Sequence, residues 1–163
     1  MNELLSAEEK DRILMIAEGL IKQPESWVTS VWKCPAWEND GADLNPKQKE
    51  DENGAPLFRY CIEGAVNEAT VRVVGEERAI SLGAVRRDED GELDYNGDWH
   101  DNQDGPTQIL ELDQLAYELY GDEMRGYDES EVQAMMINDE LDDAHGAVLD
   151  ILRTARKRLR LRR

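Results

Sequence analysis

The chain has 163 residues, of which 40% are hydrophobic and 34% charged, and a formal net charge of −18. This length fits one domain rather than two, and the apolar share can supply a core, which excludes a wholly disordered chain. No apolar run approaches the roughly 18 residues needed to cross a bilayer, and the opening MNELLSAEEK lacks the basic flank and apolar stretch of a signal peptide. A cytoplasmic protein with reduced Cys34 and Cys61 and no membrane partner is therefore expected.

The first predicted element opens on Ser6-Ala7-Glu8-Glu9, a capping box in which Ser6 accepts from the Glu9 amide and Glu9 returns to the Ser6 amide. Ile13, Ile16, Ala17, Leu20 and Ile21 follow the stripe of an amphipathic helix, which Pro24 ends. Trp27, Trp32 and Trp37 follow, and the stretch from Trp27 to Trp32 is compatible with a short strand. Trp is enriched at binding hot spots, so Trp32 and Trp37 are candidate partner contacts. The plainer role for the three is to cover one end of a helical core. Residues 38–56, dense in Asn, Asp, Gly and Pro, read as a loop.

A second helix is predicted from about Pro56 to about Val71, with Phe58, Cys61, Ile62, Ala65 and Ala69 on one face. Gly64 and Ala65 are small enough to let another segment approach closely. On the apolar face, Cys61 reads as a buried inert thiol and not as a nucleophile.

Residues 75–106 admit two descriptions: a helical turn at the start, or a pairing of Ala79–Arg87 with Glu92–Trp99 across Asp88-Glu89-Asp90-Gly91. Asp94, Asn96 and Asp98 mimic the start of a calcium loop. The sixth position is Trp99 instead of Gly, however, and the twelfth is Gly105 instead of Glu, so the pattern fails. Asp88, Glu89, Asp90, Asp94, Asp98 and Asp101 are then a solvated acidic surface and candidate contacts for a basic partner.

A third helix is predicted from about Pro106 to Tyr120 through Ile109, Leu112, Leu115, Ala116 and Leu119, with Gly121 as its stop. A helical turn from Glu131 to Ile137 precedes the closing helix, about Leu141 to Leu159. Its stripe is Ala144, Val148, Ile151, Leu152, Ala155 and Leu159, with His145 half-buried beside it. Asn138 or Asp139 is expected to cap or orient this last helix and not to act as a catalytic acid. The fold class that results is mainly α: a single-domain bundle of four to five helices with long acidic loops and room for one short β-hairpin. Residues 1–155 would form the acidic domain and residues 156–163 a basic extension of the last helix.

Seven of the 19 basic residues fall from Arg153 onward, where there is no acid, which leaves 12 against 37 acids in residues 1–152. Basic residues belong at a helix C-terminus, but seven exceed that need. Arg156, Arg158, Arg160 and Arg162 suit either a nucleic-acid contact or a strap onto the acidic body of the same molecule or a second copy. The acidic body repels nucleic acid and attracts basic proteins. Solubility or adaptation to a salty cytoplasm explains it plainly, and DNA mimicry explains it more sharply.

The chain has no Gly-rich phosphate loop, G-x-S-x-G, H-E-x-x-H or CxxC, and Cys34, Cys61, His100 and His145 share no zinc spacing. No catalytic residue, cofactor or metal is assigned. Four features in order carry a resemblance: the N-terminal amphipathic helix, Trp27, the Cys-x-x-Gly-Ala segment from Cys61, and Asn138-Asp139 ahead of an Ala/Leu/Val-rich C-terminal helix. Together they resemble an uncharacterised small-protein family of actinobacteria and their phages. That family tends to show Trp-Asn-Asp before its last helix and a Thr-led first turn; here Ile137 replaces the Trp, and Asp139 or Asp142 would supply the cap. Residues 75–105 lie outside the resemblance, which implies a helical fold and a phage or actinobacterial setting. The leading expectation is a non-enzymatic, phage-encoded acidic protein that binds and modulates a host protein with a basic surface, and that touches nucleic acid, if at all, only through its tail. The alternative is an assembly accessory that uses its basic C-terminal helix. An enzyme with an unrecognised site comes third, and a homo-oligomer stays open.

Overall fold

Ser6 Oγ accepts from the Glu9 amide at 3.1 Å and Glu9 Oε1 accepts from the Ser6 amide at 2.9 Å, so the capping box opens helix α1 (Ala7–Ile21) as its sequence requires. The computed structural model describes residues 4–29, 31–38, 47–95, 105–124, 126–128 and 132–162. Those residues form a mainly helical fold with small antiparallel strand pairs. The predicted positions Asp98, Asp101 and His100 lie outside them.

After α1 the chain makes a 3-10 turn at Pro24–Ser26 and enters strand β1 (Lys33–Pro35). Its antiparallel partner is β2 (Phe58–Tyr60), with Lys33 opposite Tyr60, Cys34 opposite Arg59 and Pro35 opposite Phe58. This corrects the predicted helix from Pro56. The stretch Phe58-Arg59-Tyr60 alternates apolar and charged side chains and is extended, and helix α2 runs from Ile62 to Val74. Cys61 is its N-cap: the Sγ accepts from the Gly64 amide at 3.3 Å.

Helix α3 (Glu76–Ser81) leads into a hairpin of β3 (Arg86–Arg87) and β4 (Leu93–Asp94). Both descriptions of this region therefore hold in part. Asp88 Oδ1 accepts from the amides of Asp90 and Glu92, and Gly91 supplies the positive φ that closes the turn.

The predicted third helix is two. Glu111 takes a left-handed conformation (φ 58°) between α4 (Pro106–Ile109) and α5 (Leu112–Tyr120). Helix α6 (Ala134–Glu140) and helix α7 (Ala144–Leu161) close the chain. There are thus seven helices among the described residues instead of four to five. Asn138 lies inside α6, and Asp143 holds the N-cap position of α7, so neither Asn138 nor Asp139 caps the last helix.

The core forms around α1, which packs against both α2 and α7, with α5 and α6 packed on α7. Leu5, Ile13, Ile21, Ile62, Val66, Leu112, Ile137, Val148, Ile151 and Leu152 are all essentially inaccessible to solvent. Each such side chain contributes about 1.5–3 kcal/mol by leaving water. A second, small cluster of Ala79, Ala84 and Val85 holds the hairpin, with Leu93 and Tyr95 packed against it.

Candidate functional site

The arginines of α7 are the first candidates to place. Arg156 Nε lies 2.9 Å and Arg160 Nε 3.4 Å from Asp11, and Arg153 Nε lies 3.3 Å from Glu18. On the other flank Arg158 pairs with Glu118, and Arg162 lies 3.5 Å from Glu111. The guanidinium groups of Arg156 and Arg160 hold the Asp11 carboxyl below its usual pKa against the opposing effect of burial. The tail is strapped onto the body of the same molecule.

The other predicted contacts separate. Trp37 sits in the strand region, bridged to Gln48, and Glu89 and Asp90 occupy the exposed tip of the β3–β4 hairpin. Trp32, Asp88 and Asp94 come together. They line a cleft of about 550 Å³ between the Val31–Pro35 segment and the hairpin.

The floor of this cleft is built by strand geometry. Lys33 and Tyr60 are directly opposite and Phe58 is the diagonal neighbour on the same face, so the Lys33 side chain lies across both rings. Its Nζ is 4.3 Å from the centre of Phe58, 5.7 Å from Tyr60 and 4.4 Å from Tyr95, which β4 brings in from the other side. From α2, Glu68 reaches Lys33 at 3.9 Å, Arg72 at 3.3 Å and the Tyr60 hydroxyl, which donates to it at 3.4 Å. Burial lowers the Lys33 pKa, while the Glu68 carboxylate pulls it back. Burial and the same carboxylate raise the pKa of Tyr60 and Tyr95. Three rings and one carboxylate face the Lys33 ammonium and oppose the effect of its burial.

Two further polar clusters lie deeper. Asn138 is fully buried. Its Oδ1 accepts from Trp27 Nε1 (2.7 Å) and the Ile62 amide (3.0 Å), and its Nδ2 donates to the Val28 carbonyl (3.1 Å) and to Asp139 (2.9 Å). It satisfies the first free amide of α2 while tying in the segment after α1. Trp27 also meets the His145 ring at a tilt of 45°, and His145 Nε2 lies 2.7 Å from the Ile21 carbonyl, so both are packing residues. The second cluster is Glu63 and Asp113. Burial and the Asp113 charge push the Glu63 carboxyl up to about 7, against the opposing influence of the Trp32 indole. Asp113 is raised by burial although it accepts from the Ala134 amide at 2.8 Å and from Gln108 at 3.1 Å.

Burial pushes the Cys61 thiol up to about 12, which makes it a poor nucleophile. Among the described residues no group of three or more His, Cys, Asp or Glu is arranged to hold a metal ion, and no helix is long and apolar enough to cross a membrane. Lys33, Phe58, Tyr60, Glu68 and Tyr95 were not among the predicted site residues. The alternation in Phe58-Arg59-Tyr60 was the one local signal for part of the box. The chain matches no known family model, no curated protein and no solved structure.

Proposed function

We propose that this is a non-catalytic interaction protein that binds a host protein through its acidic surface, in the phage or actinobacterial setting that the sequence resemblance implies. One observation carries this choice over the nucleic-acid accessory: five arginines of α7 each lie beside a carboxylate of the same chain. A phosphate approaching that helix meets Asp11, Glu18, Glu111 and Glu118 as well as the arginines, so the attraction that would drive counterion release is largely cancelled. The rest of the surface is dominated by acid, and it steers basic proteins toward itself. DNA mimicry is one form that such binding takes.

The experiment is a gel-retardation series with duplex DNA and an RNA hairpin on the full chain, beside affinity capture from host lysate at rising salt. The expected result is no retardation at physiological salt, and capture of a basic protein that weakens as salt rises. Retardation lost on joint Arg156→Gln, Arg158→Gln, Arg160→Gln and Arg162→Gln substitution would establish the accessory role instead.

A further inference from the structure

Residues of β1 and of the β3–β4 hairpin both line the cleft. In the β1–β2 pair the Ala36 amide donates to the Leu57 carbonyl at 3.0 Å and the Cys61 amide to the Trp32 carbonyl at 3.4 Å. Even-numbered residues of this segment therefore turn their backbone toward β2. By the alternation of an antiparallel ladder, Val31, Lys33 and Pro35 turn theirs away from it. In the hairpin the Asp88 amide donates to the Glu92 carbonyl at 2.9 Å, and Arg86 lies opposite Asp94. Residues 92 and 94 thus face β3, and Leu93 and Tyr95 face outward. Val31, Lys33, Pro35, Leu93 and Tyr95 all line the 550 Å³ cleft.

The geometry points to this cleft as a β-augmentation site for an extended segment of a basic protein, which lies along β1 or β4 and takes up their outward backbone groups. The inference rests on the proposed function and names its site and the chemistry of its partner. Edge pairing supplies main-chain hydrogen bonds, and flanking side chains supply specificity. An edge the length of Val31–Pro35 takes about five residues. On one side the occupant meets Phe58, Tyr95 and the half-exposed Val31, which suit apolar side chains. At the hairpin end it meets Asp88, and a segment that runs past the cleft reaches the exposed tip with Glu89, Asp90 and Glu92, which suit Lys or Arg. Lys33 does not oppose this charge pattern, because its ammonium is turned onto the rings and Glu68. A second copy of the chain is a poor occupant: it brings the same acidic rim and a net charge of −18. Lys33 and Pro35 also blunt the edge against promiscuous pairing.

The probe is a capped peptide of alternating valine and Lys/Arg, seven residues long. It is compared with a glutamate version and with two backbone N-methylated versions, each blocking one edge while keeping the side chains. Binding is read by Trp fluorescence, since Trp32 lines the cleft, and by amide chemical shifts of the isotope-labelled full chain. The basic peptide is expected to bind with shifts concentrated at Val31–Pro35 and Leu93–Tyr95. The glutamate version and at least one N-methylated version should bind at least about tenfold more weakly. Joint Asp88→Asn, Glu89→Gln and Asp90→Asn substitution should weaken the basic peptide by about three- to tenfold while keeping the turn acceptor at position 88. No binding of the basic peptide, binding of both N-methylated versions as tight as that of the unmethylated peptide, or shifts centred elsewhere overturns the site. Retardation of DNA by the same preparation overturns the proposed function instead, so the two failures are separable.

Discussion

Truncating Asn138 to alanine removes a fully buried side chain that makes four hydrogen bonds. The Ile62 amide is left buried without an acceptor, and the half-buried Trp27 Nε1 and Val28 carbonyl lose their partners. Asp139 is exposed, so its loss of the Asn138 contact costs little. A buried orphan costs about 1–3 kcal/mol, so one full orphan, two partial ones and a small cavity give about 3–5 kcal/mol. That is a large share of the 5–15 kcal/mol by which domains are usually stable. In urea unfolding followed by Trp fluorescence and circular dichroism, the midpoint should fall by about 1 M or more at unchanged slope. Asn138→Asp keeps the acceptor but places a carboxylate beside the Val28 carbonyl and Asp139. Burial and Asp139 hold that carboxyl protonated in the native state after the unfolded chain has released its proton. The variant should therefore be least destabilised below about pH 4 and lose stability as pH rises toward its raised native pKa. A loss under about 1 kcal/mol for Asn138→Ala, or a penalty for Asn138→Asp that does not move with pH, would refute Asn138 as the tie between α6, α2 and the segment after α1.

Two glycine substitutions should have opposite signs. A Cβ on Gly64 would sit 1.7 Å from the Trp32 carbonyl oxygen, so Gly64→Ala should cost about 2–4 kcal/mol, whereas Gly19 is open on α1 and Gly19→Ala should gain about 0.5–1 kcal/mol. Equal signs in thermal melts would overturn the close approach of the Trp32 backbone to α2. Arg156→Gln should cost about 0.5–1 kcal/mol at pH 7, discounted for partial exposure. Because Arg156 holds the Asp11 pKa below the 3.8 of an ordinary aspartate, that cost is present above about pH 4 and fades as pH falls through the depressed value; a gap that widens in acid contradicts the ion pair. Glu63 has the reverse sign. Its native carboxyl, raised to about 7, keeps a proton that the unfolded chain gives up near 4.5, so stability should fall by roughly 1–3 kcal/mol as pH rises between those values and stay level above. Glu63→Gln should flatten that slope, and parallel melting curves against pH would show that the burial has been misassigned. In native thiol labelling Cys61 should react at least about tenfold more slowly than the half-buried Cys34, and two equally fast thiols would place Cys61 outside the core.

What could be read in the sequence was local. The capping box of α1, the turn at Asp88–Gly91 and the apolar stripe of α7 each depend on the spacing of near neighbours in sequence, and the small size of Gly64 could be read although Trp32, which approaches it, could not. The misreadings came from contacts that no local window contains. Phe58 keeps helical spacing with Ile62, Ala65 and Ala69, yet it pairs with β1, more than twenty residues back along the chain, and that pairing overrode the period. The break at Glu111 has no glycine to announce it. Asn138 stood out as a helix cap because polar residues before apolar runs usually are one. It does satisfy a helix amide, but the helix is α2, 76 residues away in sequence. The Lys33 box draws on β1, β2, α2 and the end of β4, so no spacing in the chain could signal it.

The basic tail shows how such distance changes a functional argument. Arg153, Arg156 and Arg160 recur at helical spacing along one flank of α7, and Arg158 and Arg162 along the other, with Leu152, Ala155 and Leu159 between them. The carboxylates that receive them are also periodic: Asp11 and Glu18 on α1, and Glu111 and Glu118 along α5, are each separated by two helical turns. The apolar stripe fixes the position of α7, and the two charge rows fix its register between its neighbours. Exposed pairs of this kind add little stability individually, so their main consequence is electrostatic. They offset much of the positive charge of α7 from within, and the field that a partner meets is set largely by the acids that remain, among them the hairpin tip beside the Lys33 cleft.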